Sequence, residues 1–70
     1  MELWINGKIE VVLGLVPETS TITDLLKAQG WRQDGIAVEL NAQVVPKKDH
    51  SATTLHIGDK IEVVTLIGGG

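Results

Sequence analysis

The sequence predicts an α+β domain in which one main helix packs on one face of a sheet of four to five strands. Apolar and polar residues alternate over 1–13, 36–40 and 60–67, the two-residue period of strands. Only the segment from Thr21 to Gly30 carries helical spacing with capping residues at both ends. The chain has 70 residues and no cysteine, so there is room for one core, held by packing without disulfides. Area scaling leaves a folded surface of roughly 4,200 Å² from roughly 11,000 Å² unfolded, hence one thin core. An enclosed ligand cleft of about 300–1,000 Å³ would remove much of it, which argues against a self-contained enzyme.

Met1, Leu3 and Ile5, then Ile9, Val11 and Leu13, interleave with Glu2, Asn6, Lys8 and Glu10 as a hairpin turning at Asn6-Gly7. A two-residue loop would set Leu3 opposite Glu10. A loop of Asn6, Gly7 and Lys8 pairs Ile5 with Ile9 and Leu3 with Val11, which keeps one apolar face and is the preferred register. Trp4 and Val12 then point away from the core. Gly14 to Ser20, with Pro17, reads as a connection.

Thr21 and Asp24 form a capping box, Ile22, Leu25, Leu26 and Ala28 fit one helical face, and Gly30 supplies a left-handed C-terminal cap. A helix this short is not stable alone and must pack on the sheet. Ile36, Val38 and Leu40 mark a third strand. Asn41-Ala42-Gln43 turns the chain into a short Val44-Val45, ended by Pro46 because proline offers no ladder donor. Lys47 to Thr54 reads as polar loop, Leu55 to Ile57 lead to a turn at Gly58-Asp59, and Lys60 to Ile67 form the last strand. The organisation is a domain over 1–67 and a flexible glycine tail over 68–70.

Six Lys and Arg against nine Asp and Glu give a net charge of −3 with no basic run beyond Lys47-Lys48. That disfavours a nucleic-acid binder and suits a basic protein partner. The first residues lack the features of a secretory signal, and no apolar run has the length of a membrane span, so the expected compartment is the cytoplasm. His50 and His56 are too few for a metal cluster and read as structural or solvated. Ser20 and Ser51 lack a nucleophile-elbow context, and Glu39 and Glu62 read as polar strand faces rather than an acid–base pair. Trp4, Val64 and Leu66 would share the sheet face opposite the helix, as a recognition patch or as scattered surface residues.

Gly68-Gly69-Gly70 is the sharpest feature. Three glycines at one defined place arise by chance about 3 times in 10,000, which sets a functional tail against a floppy or artificial extension. Glycine passes through narrow sites on other proteins, and such a tail offers a carboxylate. A carboxylate becomes an acyl donor only after activation, for instance by ATP. The chain has no phosphate-binding glycine loop, so a partner would activate it and the protein would be a carrier or a tag.

The element order closing on glycines is that of the β-grasp, or ubiquitin-like, fold, with a mixed sheet. Ile5-Asn6-Gly7-Lys8, Asp24-Leu25-Leu26, Ala37 to Asn41 with Val44 to Lys47, Gly58 to Val64 and Leu66 to Gly70 together resemble the ThiS family of sulfur carriers in thiamine biosynthesis. The resemblance implies that the Gly70 carboxylate is adenylated by a ThiF-type enzyme with ATP and converted to a thiocarboxylate. It further implies that the sulfur comes from a persulfide-bearing sulfurtransferase or cysteine desulfurase and passes to the thiazole synthase ThiG. Gly68 and Gly69 would be the threading tail and Trp4, Val64 and Leu66 the docking face, with no cofactor or metal held by the chain itself. A third glycine departs from the family's diglycine end. The molybdopterin synthase small subunit, MoaD, shares this chemistry but commonly has aromatic residues where this chain has Glu62-Val63-Val64. A ubiquitin-like modifier would instead join Gly70 to a lysine.

Overall fold

Asn6 and Gly7 set the first corner of the fold. In the computed structural model, which describes residues 1–66, their φ angles are 49° and 84°. Two successive positive φ values make a tight hairpin turn whose twist matches its strands. It joins β1 (Glu2–Ile5) to β2 (Lys8–Val11), with Ile5 opposite Lys8, Trp4 opposite Ile9, Leu3 opposite Glu10 and Glu2 opposite Val11. The three-residue loop expected from apolar matching is therefore wrong: local turn chemistry overrides it. A one-residue slip exchanges the faces of a strand. Ile9 and Val11 accordingly lie beside Trp4 on the open face, and Val12, expected outside, is buried in the core. The Met1 nitrogen donates to the Val12 carbonyl and the Val12 N–H to the Met1 carbonyl, tying down the end of the hairpin.

Helix α1 (Ile22–Ala28) follows the predicted chemistry at both ends. The Asp24 N–H donates to Thr21 Oγ1 at 3.3 Å, and the Thr21 N–H donates to Asp24 Oδ2 at 2.9 Å. At the other end the Gly30 N–H reaches the Lys27 carbonyl and the Trp31 N–H the Leu26 carbonyl, at 3.0 and 2.9 Å. This double bond pattern with φ 71° at Gly30 satisfies carbonyls that the helix leaves free. Ile22, Leu25 and Leu26 are buried, whereas Ala28 is exposed: it lies six residues after Ile22, far enough round the 3.6-residue turn to leave the buried stripe.

Asn41 and Ala42, with φ of 51° and 70°, turn β3 (Ile36–Leu40) into β4 (Gln43–Val45), so Gln43 belongs to the strand rather than to the turn. The segment expected as plain loop begins with a 3₁₀ turn at Lys47–Asp49. The last strand, β5 (Lys60–Thr65), stops before Leu66, whose N–H donates to the Gly35 carbonyl. Ile67, expected as its end, lies outside the described residues.

The sheet is mixed, in the order β2-β1-β5-β3-β4, with β1 and β5 parallel and the other neighbours antiparallel. β5 therefore occupies the centre. Leu3, Ile5, Val38 and Ile61 of the sheet meet Ile22, Leu25 and Leu26 of the helix, with Val12 and Leu55 completing the core. Total accessible surface is 4410 Å², close to the roughly 4,200 Å² that chain length implies, so one layer of side chains is all the core there is. Among the described residues no helix is long and apolar enough to cross a membrane.

Candidate functional site

The strand that leads toward the glycines is held on both flanks. On one side it runs antiparallel to β3 from Ile36–Thr65 through Leu40–Ile61. On the other, the Trp4 N–H donates to the Asp59 carbonyl and the Asn6 N–H to the Ile61 carbonyl, both at 2.9 Å. β1 has ended by then, and the next inward N–H of β5, that of Val63, would lose its ladder partner. Asn6 Oδ1 accepts it at 2.8 Å, so one side chain extends the ladder past the end of the strand. Sequence reading took Asn6 only as a turn residue.

Trp4, Val64 and Leu66 are 38%, 52% and 65% exposed. The β1–β5 register places Trp4 on the face that Lys60, Glu62 and Val64 present by alternation, opposite the helix. Ile9, Val11 and Val44 add exposed apolar area to this face. Glu39 and Glu62 face one another directly across β3 and β5, at its centre. Sequence reading assigned both glutamates to polar strand faces, and only the register shows that they are neighbours. A depression of about 200 Å³ on this side is lined by Trp4, Gly7, Lys60, Ile61 and Glu62.

The opposite face carries a wider open cleft of about 410 Å³, lined by Asn6, Trp31, Arg32, Ile36, Val63 and Thr65. It exists because the helix covers only part of the sheet, and it is a surface groove rather than an enclosed chamber carved from the core.

His50 is buried with Nε2 2.9 Å from the Val45 carbonyl, a structural tie between the 3₁₀ turn and β4. His56 is exposed, with its ring 3.8 Å from Asp59. Ser20 accepts the Val16 N–H at 2.8 Å and Ser51 is exposed. Among the described residues no group of three or more His, Cys, Asp or Glu is placed to hold a metal ion. Gly68, Gly69 and Gly70, the tail and the reactive end predicted from the sequence, lie outside the described residues.

Comparison with known proteins agrees with the architecture. The ThiS family matches residues 3–70. The crystal structure of a thiamine biosynthesis protein, ThiS, from Geobacter metallireducens superposes with a TM-score of 0.81 at 38% identity, covering 100% of both chains. A thiazole synthase of Paramagnetospirillum magneticum is 40% identical over 70 residues, which is 100% of this chain and 20% of that protein. The chain thus spans one fifth of that relative's length. The protein ycf40 of Porphyra purpurea is 29% identical over 70 residues, covering 94% of this chain and 99% of that one. A mixed five-stranded sheet with one helix, matched in full by a solved ThiS structure and by the family from β1 to the glycines, places the chain in the ThiS family, with the β-grasp fold.

Proposed function

We propose that this protein is a sulfur carrier in thiamine biosynthesis, acting as a cosubstrate of partner enzymes rather than as an enzyme. The observation that carries the reading is the extent of the family match, which runs through Gly70 and so includes the glycine end. In the proposed cycle a ThiF-type enzyme joins the Gly70 carboxylate to AMP from ATP, releasing pyrophosphate. The terminal sulfur of a partner's cysteine persulfide attacks the acyl carbon and AMP leaves. A thiol then cleaves the remaining S–S bond, so that Gly70 ends as a thiocarboxylate and the cysteine that donated the sulfur ends in a disulfide. Thiazole synthase is the acceptor. A protein of that name containing a segment 40% identical to the whole chain supports this pairing.

The chain's own contribution is presentation. β5 lies at the centre of the sheet, pinned by β3, β1 and Asn6, and gives the segment beyond Leu66 a rigid base. Gly68 and Gly69 thread the partner's channel. Trp4, Val64 and Leu66 form the docking face, and ATP and the persulfide are bound by partners in the cytoplasm.

Incubation with a ThiF-type enzyme, ATP and a persulfide donor tests this by intact-mass spectrometry. The expected result is a gain equal to the difference between one sulfur and one oxygen, located at Gly70. No gain with the matched enzyme refutes the carrier reading, and lysine-linked conjugates in cell extract would establish a modifier instead.

A further inference from the structure

The open sheet face carries a charge arrangement that its own fold does not explain. Glu39 and Glu62 stand directly opposite one another, and like charges in that position oppose strand pairing. Among the described residues the ion pairs are Lys47–Asp34 and His56–Asp59, and neither involves these glutamates. Lys60 lies on the same face, two residues before Glu62, without pairing to either. Away from Lys60 the neighbours of the two carboxylates are apolar: Val44 opposes Glu39 on its other side, and Val64 opposes Ala37. Beside Glu62 the surface dips into the recess of about 200 Å³ that Trp4 and Lys60 also line.

We propose that this recess is a socket for an arginine side chain of the partner protein, the guanidinium stacking against Trp4 and pairing with Glu62 while Glu39 supplies a second negative charge. The inference rests on the reading of this face as the docking surface and adds the chemistry of the residue that enters it. An aromatic ring beside a carboxylate suits a cation, and a planar guanidinium can stack on the one and hydrogen-bond the other at once. The recess is about half the volume of the cleft on the helix side, a size for one side chain rather than for a separate ligand. A net charge of −3 matches a basic partner. Lys60, lining the same recess, opposes an incoming cation and restrains the affinity, which suits a carrier that must leave each partner in turn.

The test uses the full chain with a purified ThiF-type enzyme and, separately, thiazole synthase. Affinity is measured by titration calorimetry and fold stability by thermal unfolding. Glu62→Gln is expected to weaken binding to at least one partner by about thirtyfold or more, the cost of truncating one member of a buried interfacial charge pair, and Glu39→Gln to weaken it by less. Both should leave the unfolding temperature unchanged or raise it, because each relieves a like-charge contact. Lys60→Gln should tighten binding. If Glu62→Gln binds both partners as the parent does while Trp4→Ala weakens binding, the face docks without a cation socket and the proposal fails alone. If Trp4→Ala and Val64→Ala also leave both affinities unchanged, the docking face itself is wrong. A lower unfolding temperature for both glutamine variants would show that the glutamates serve the fold, and would overturn the proposal.

Discussion

Replacing Asn6 separates two contributions that one residue makes to holding β5. Its side chain accepts the Val63 N–H at 2.8 Å, and its backbone sits at φ 49°, a region that asparagine adopts at lower cost than alanine does. Asn6→Gly keeps the turn and removes the acceptor, a loss of about 1 kcal/mol for one hydrogen bond. Asn6→Ala removes the acceptor and also the local side-chain hydrogen bonding that eases asparagine into the left-handed region, a further loss of about 1 kcal/mol, for a total of about 2 kcal/mol. For a domain of this size each kcal/mol moves the midpoint by roughly 4–8 °C, so the glycine variant should melt about 5 °C lower and the alanine variant about 8–16 °C lower. Asn6→Asp keeps both the acceptor and the tolerance and should stay near the parent. Thermal unfolding by circular dichroism reads the series, and amide exchange at Val63 should accelerate in the glycine variant but not in the aspartate one. Equal midpoints for the glycine and alanine variants would refute the strain argument. A glycine variant as stable as the parent, with unchanged Val63 exchange, would refute the side-chain bond as a support of β5.

Three further outcomes are expected. Thr21→Ala removes the acceptor for the Asp24 N–H and should cost about 1 kcal/mol by denaturant titration, with Thr21→Ser close to the parent. Leu25→Ala, at a fully buried position in a single-layer core, should cost about 2–5 kcal/mol, enough to leave a large unfolded fraction at 37 °C by near-ultraviolet dichroism. If residues 68–70 are the tail that the sequence suggests, deleting them should leave the unfolding midpoint within about 4 °C and should abolish sulfur incorporation; loss of the fold would show that the glycines belong to the domain.

Much of this protein was legible without coordinates because its short-range chemistry is explicit. Thr21 with Asp24, Gly30 after the helix and Pro46 after Val45 each act on residues within a few positions, and the structure contains each where the sequence placed it. The glycine end, likewise, was a feature of sequence alone. The hairpin register was not read correctly, because Asn6-Gly7 and the apolar pattern of β2 pull in opposite directions. Turn geometry prevails there because β2 is an outer strand whose residues are all exposed, so little burial is lost when Ile9 and Val11 face outward.

What only the tertiary structure decided is how distant segments meet. The parallel pairing of β1 with β5, the central position of β5 and the bond from Val63 to Asn6, 57 positions apart, depend on where the helix carries the chain between them. So does the opposition of Glu39 and Glu62, which a slip of one residue in the β3–β5 register would abolish. Outside β2, side-chain pattern determines which face of a strand is buried. Strand order and register, set by cooperative packing of the whole core, determine which exposed residues become neighbours, and the candidate binding surface is made of such neighbours.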